Sequence, residues 1–277
     1  MMKSQWECVL ENLGEWVGSF TTINAQGELI DDIPSIIRLE GLRDNQAIHL
    51  VLKRFYPLPN SSETYAKEVV WDFITPPGVG VIYFDTGAFS SGGLTLNQGV
   101  KFIVEFSLMT IDRRFRTIQQ YNFEHQLDRV TFVREQRQGS IAPERPHLTI
   151  SDLLGRWQGT ATIASSEDRS TLVNPHESSL IVNDDGYQWD EGSHSMTITA
   201  TGDGLFQFDR DNQSYQLRLL PDSSYSLTPI HIVTGQPFYI EIGWIYQSGQ
   251  RQRLVRQYNS DGVWISVTLI VESKNLE

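Results

Sequence analysis

A chain of 277 residues, 39% hydrophobic and 20% charged, is long for one hydrophobic core and fits two domains of ordinary size. Its net charge of −12 is spread over residues 1–137 (13 basic, 17 acidic) and 138–277 (9 basic, 17 acidic), which excludes the clustered positive surface that nucleic-acid binding needs. Cys8 is the only cysteine, so no intrachain disulfide can form, and a reducing compartment, the cytoplasm, is the expected location.

The opening MMKSQWECVL has no signal-peptide core, and no run approaches the roughly 18 apolar residues of a membrane helix. Trp6, Val9, Leu10 and Leu13 fall at helical spacing behind Ser4-x-x-Glu7, the form of a capping box, and predict a short lead-in helix. After Leu13-Gly-Glu-Trp-Val-Gly18 the hydrophobic period becomes two. Ile48–Phe55, Glu68–Phe73, Gly80–Phe84, Phe102–Met109 and Phe115–Phe123 are the clearest strands, with a glycine-rich loop at Pro76–Gly80.

Residues 136–146 carry no hydrophobic periodicity and read as a linker, which puts the expected domains at 1–139 and 140–277. The pattern then starts again. Thr149–Gly155 repeats the helical lead-in, and Leu154-Gly-Arg-Trp-Gln-Gly159 repeats L-G-x-W-x-G. Arg116-Thr-Ile-Gln-Gln-Tyr-Asn122 returns as Arg253-Leu-Val-Arg-Gln-Tyr-Asn259, 137 residues later, and the same offset relates Glu135 to Glu272 and Asp85 to Asp222. Strands around Met196–Ala200, Leu205–Phe208, Tyr215–Leu219, Ile240–Trp244 and Ile265–Val271 are separated by Asp- and Gly-rich turns, Asp184–Gly186 among them. Each copy therefore reads as a meander of about nine short strands, which loses its open edges most easily by closing into a barrel. The fold class is all-β, two tandem antiparallel barrels, each behind a short helix.

A Trp one residue after a Gly at the start of the first strand, with an Arg late in the unit, resembles the signature of lipocalins and related calycin barrels. That resemblance implies that Gly14 and Trp16, and Gly155 and Trp157, close one end of each barrel. A guanidinium would pack across each ring, Arg116 (or Arg134) on Trp16 and Arg253 on Trp157. Over its whole length the duplicated pattern also resembles a cyanobacterial and plastid family long catalogued as a domain of unknown function. Its plastid relative is an assembly factor for ATP synthase, so the resemblance implies protein partners, among them ATP synthase subunits.

Catalytic and metal signatures are lacking. The six histidines show no paired spacing, the acidic turns do not build a calcium loop, and Cys8 has no basic neighbour in sequence to activate it. No catalytic residue, metal or cofactor is expected. Glu105 and Glu241, with Gln120 and Gln257, recur in both copies inside apolar strands and form a candidate polar interior. A Ser248-Gly249 hairpin would set Trp244 opposite Arg253 and Glu241 opposite Arg256. The main reading is a non-enzymatic binding or scaffold protein. The alternatives are a carrier of a hydrophobic molecule (bilin, haem, carotenoid or fatty acid) and, third, a barrel isomerase or chromophore lyase. Whether the barrels are filled or hollow separates the first reading from the others.

Overall fold

The computed structural model describes residues 3–58, 63–74, 78–167, 169–184 and 186–275. It is all-β, with helices among the described residues only at the two lead-ins, α1 (Gln5–Leu10) and α2 (Ile150–Leu153). The capping box of α1 forms as expected: Ser4 Oγ accepts from the Glu7 amide at 3.2 Å, and the Glu7 carboxylate accepts from the Ser4 amide at 2.7 Å. The expected loop at Pro76–Gly80 and turn at Asp184–Gly186 include Pro76, Pro77 and Asp185, which lie outside the described residues.

The first repeat holds nine strands: β1 (Gly14–Asn24), β2 (Leu29–Leu42), β3 (Ala47–Pro57), β4 (Thr64–Ile74), β5 (Val81–Tyr83), β6 (Phe89–Gly92), β7 (Phe102–Met109), β8 (Arg113–Tyr121) and β9 (Leu127–Arg137). The second holds ten: β10 (Gly155–Ser165), β11 (Thr171–Asn183), β12 (Gly186–Glu191), β13 (His194–Gly202), β14 (Leu205–Arg210), β15 (Gln213–Leu220), β16 (Ser224–Pro229), β17 (Phe238–Gln247), β18 (Gln250–Tyr258) and β19 (Trp264–Lys274). The second set closes into a barrel. The first runs β4-β3-β2-β1-β9-β8-β7-β6-β5 and stays open between β4 and β5, a curled half-barrel.

The expectation that both copies close is thus corrected for the first, and strand count explains why. Matched through Asp85 and Asp222, β5 and β6 correspond to β15 and β16, which leaves β14 without a counterpart. Only six residues, 75–80, separate β4 from β5, whereas ten separate β13 from β15 and include β14. Strands of a meander alternate in direction, so with β14 gone β4 and β5 point the same way. A parallel pair needs a crossover of about a dozen residues, and six cannot supply it.

The glycines of L-G-x-W-x-G have distinct tasks. Gly14 and Gly155 sit at φ of +123° and +104°, where other residues are strained. At Gly18 and Gly159 a Cβ would overlap the backbone carbonyl oxygen of Arg134 and of Val271 on the neighbouring strand.

The β17–β18 hairpin differs by one residue from the expected register. Gly243 pairs with Arg253, Glu241 with Val255, and Trp244 with Gln252, because the ladder shifts between Trp244 and Gln247. One residue of slip turns every side chain to the other face. Glu241 therefore shares the interior face with Arg253, and Trp244 points the opposite way.

The chain groups into two compact units, Met1–Ser91 with Glu105–Gln119 and Asp128–Pro143, and Gly92–Val104 with Gln120–Leu127 and Glu144–Glu277. The core of the first includes Val9, Trp16, Phe20, Ile37, Leu52 and Val133. That of the second includes Trp157, Trp189, Phe206, Phe208, Tyr215 and Leu217. No helix among the described residues is long and apolar enough to cross a membrane.

Candidate functional site

Trp16 and Trp157 are buried at equivalent places, and each indole nitrogen donates to a lead-in carbonyl at 3.0 Å, of Asn12 and of Leu153. The cations on their faces are not the expected ones. Arg114 and Arg137 lie 4.6 and 4.3 Å from the Trp16 centroid, and Arg251 and Lys274 lie 4.3 and 5.5 Å from that of Trp157. Arg116 and Arg253 sit two residues further along the same strand face, one rung deeper, and pack over Phe20 and Trp189 instead. Arg134 turns to Ser19 and Thr21. A Cβ on Gly14 would lie 2.6 Å from Arg137 Nη1, so the first glycine of the motif also makes room for one of the two cations.

Below each Trp lies the same polar tetrad. In the half-barrel Arg114 Nε donates to Glu135 at 2.7 Å, and Arg116 donates to Glu105 through Nε and Nη2 at 3.2 and 2.9 Å. In the closed barrel Arg251 Nε donates to Glu272 at 2.8 Å, and Arg253 donates to both oxygens of Glu241 at 2.7 and 3.1 Å. All four positions of the tetrad recur with the 136–137-residue offset. Burial works against the Arg116 and Arg253 charges, but the surrounding carboxylates outweigh it and hold both pKa values above the ordinary range. Arg114 is held below it, with burial the larger effect and Glu135 only partly offsetting it.

What surrounds the tetrads differs. In the closed barrel Arg253 also donates to Glu191 at 3.0 Å, Tyr225 donates to Glu241 at 2.6 Å, and Ser178 donates to Glu272 at 2.8 Å. His176 lies 3.2 Å from Glu191 and 3.4 Å from Glu272. Trp189, Phe206, Phe208, Tyr215 and Leu217 pack in the core of this barrel. A cleft of about 590 Å³ opens beside this network over β11 and β12, lined among others by His176 and Glu191. In the half-barrel, ladder pairing puts Ile37 where Ser178 stands and Leu52 where Glu191 stands. The space in front of Arg116 is a cavity of about 360 Å³ walled by Phe20, Leu50, Leu52, Phe73, Val81 and Phe89, with Glu105, Arg114, Arg116 and Arg54 on its lining. That volume falls within the range of small-molecule sites.

Glu105 therefore faces a cavity, but Arg116 holds its carboxylate, while Glu241 is only 2% exposed. Gln120 and Gln257 do not join these clusters. They stand four residues, about 13 Å, further along their strands; Gln120 is half-buried, and Gln257 is exposed and accepts from Ser266. Cys8 is buried near Asp85, and burial with that carboxylate pushes its thiol up to about 12, which keeps it unreactive. Among the described residues no group of three or more His, Cys, Asp or Glu is placed to hold a metal.

Sequence reasoning missed Arg114, Arg251, Arg137, Lys274, Glu191, His176 and Arg54 as site residues. The first four carried a usable signal, since positions 114 and 251, and 137 and 274, are basic in both copies at the repeat offset. Glu191, His176 and Arg54 have no equivalent in the other copy, so the repeat is silent about them.

Residues 2–140 match the family described as domain of unknown function (DUF3598), N-terminal, and residues 144–275 match the C-terminal domain of biogenesis factor required for ATP synthase 1. A crystal structure of a protein of unknown function of the DUF3598 family from Nostoc punctiforme is 35% identical, with a TM-score of 0.89 over 99% of this chain and 100% of that one. A putative outer membrane protein from Bacteroides fragilis aligns at 9% identity and a TM-score of 0.25 over 97% of this chain and 99% of that one, too low to carry any argument. No curated protein matches the chain. With half its length in one family model and a 35% identical relative spanning it end to end, the chain belongs to the DUF3598 family of two-domain proteins, its second domain of the ATP synthase biogenesis factor type.

Proposed function

We propose that this protein is a non-enzymatic assembly scaffold for ATP synthase, acting on subunits of the catalytic head in the cytoplasm. The observation that carries this reading is the match of residues 144–275 to the C-terminal domain of a biogenesis factor required for ATP synthase. Two structural features support it. The second barrel is packed with large side chains and a paired Glu/Arg network, which suits a rigid platform. On the first unit, β4 leaves Val69, Val70, Trp71 and Ile74 exposed, the kind of apolar surface that protein partners cover.

The test is a pull-down from host extract with the tagged full chain, read by quantitative mass spectrometry. Enrichment of catalytic-head subunits over a tag-only control, with less assembled enzyme in a strain lacking the protein, is expected. Recovery of none of those subunits would overturn the reading.

A further inference from the structure

The half-barrel cavity is electrostatically unfinished, and its duplicate shows what is missing. In the closed barrel Arg251 and Arg253 face three carboxylates, Glu191, Glu241 and Glu272, with His176 beside two of them. In the half-barrel Arg114 and Arg116 keep only Glu105 and Glu135, and a third guanidinium, Arg54, has been added. Three cations against two carboxylates leave one positive charge uncompensated.

The donors tell the same story. Arg54 Nε and Arg114 Nη2 are buried with no hydrogen-bond partner among the described residues, and so is the hydroxyl of Ser35, the cross-strand neighbour of Arg54. Arg251, by contrast, places Nη2 on Ser178 at 3.0 Å. A buried donor left unpaired is destabilising, the more so when charged, so the pocket favours an occupant that brings acceptors. Arg54 and Arg116 both line the cavity and both pack on the Phe20 ring, 4.2 and 5.6 Å from its centroid. Most of the remaining lining is hydrocarbon, Ile37, Leu39, Leu50, Leu52 and Phe73 among it, with Asn12, Tyr83 and Ser91 as further polar residues.

We propose that the half-barrel binds a long-chain aliphatic monocarboxylate, its carboxylate held at Arg54 beside Arg116 and its chain lying along the Ile37, Leu50, Leu52 and Phe73 wall. One negative charge neutralises the surplus, and an extended hydrocarbon suits a largely apolar pocket. A dicarboxylate or a neutral molecule satisfies only one of these two conditions. The proposal is independent of the assembly role, and its readout is binding by the purified full chain.

Delipidated protein is titrated with palmitate and with hexadecanol, followed by native mass spectrometry for stoichiometry and by calorimetry for affinity. Palmitate should bind one to one and at least tenfold more tightly than the alcohol. Arg54→Met should erase that tenfold preference while Arg54→Lys retains most of it, and Leu52→Trp, which fills the cavity, should abolish binding of both ligands. Circular dichroism on each variant establishes that it is folded. No binding of palmitate, equal affinity for acid and alcohol, or binding unchanged in Leu52→Trp would each overturn the proposal. Loss of palmitate binding with an intact ATP synthase pull-down, or the reverse, tells the two readings apart.

Discussion

The half-barrel and the closed barrel begin from one plan and reach opposite interiors. Both keep the buried Trp, the cations over its ring and the Arg/Glu tetrad beneath it. The closed barrel adds polar partners, Glu191, Ser178, Tyr225 and His176, until its guanidiniums are surrounded, and packs aromatic rings in its core. The half-barrel replaces two of those positions with Ile37 and Leu52, drops the strand that would close the sheet and keeps an accessible hollow. A network is completed in one copy and left incomplete in the other. A duplication thus separates what the architecture needs, present twice, from what a single copy has been free to change.

The sharpest way to break this comparison is to remove the same residue from both tetrads. Arg253 is fully buried among three carboxylates; Arg253→Met leaves Glu272 on Arg251 but strips the buried Glu241 of its guanidinium and Glu191 of one partner, and should cost about 3–5 kcal/mol. Arg116 and Glu105 are 13% and 29% exposed at the cavity, so after Arg116→Met water can reach Glu105, while Arg114 still holds Glu135. The loss there should be about 1–3 kcal/mol. Denaturant unfolding, with hydrogen exchange resolving each unit, measures both; equal costs would mean that the two networks are equally closed.

Acid should separate the units next. Burial alone would raise the pKa of Glu191, but Arg253 and His176 outweigh it and hold it well below the ordinary 4.5; Arg251 and Arg253 do the same for Glu272. The unfolded chain therefore takes up protons at these groups before the native barrel does. Their stabilisation is complete above pH 4.5 and declines as the pH falls further. Glu191→Gln should make this decline shallower. Exchange rates in β18 and β19 measured from pH 6 down to pH 3 test it, and an unchanged slope in the variant would remove Glu191 from the account.

Much of this was legible in the sequence, for identifiable reasons. The repeat, the strands and the capping box are written locally, in a fixed offset, in period-two runs such as Ile265–Val271, and in Ser4-x-x-Glu7. The Trp partners were missed by one rung because an Arg-x-Arg pair places two guanidiniums on one face, and sequence alone does not say which reaches the ring. The hairpin register was missed because the ladder shifts between Trp244 and Gln247, before the Ser248-Gly249 turn from which the register was counted. The open first sheet was hidden in the shortness of residues 75–80, whose meaning depends on knowing that β14 exists. Arg54 and Glu191 left no trace, since each belongs to one copy alone.

Arg54 offers the finest test of the comparison because its effect on the empty protein should be the smallest. It faces the same kind of interior as Arg253, yet its Nε has no partner among the described residues and its guanidinium rests on Phe20. The aromatic contact contributes about 0.5–1 kcal/mol at a partly exposed site. The desolvated, unpaired donor opposes it with a similar or larger cost. Arg54→Met keeps the hydrocarbon stem over the ring and removes the charge, so the net change should lie within about 1 kcal/mol of zero and can be stabilising. Urea unfolding of ligand-free protein, with the m-value unchanged and the midpoint compared, reads this directly. A loss as large as that expected for Arg253→Met would mean that Arg54 is tied into the fold, and the half-barrel would then be as complete as its duplicate.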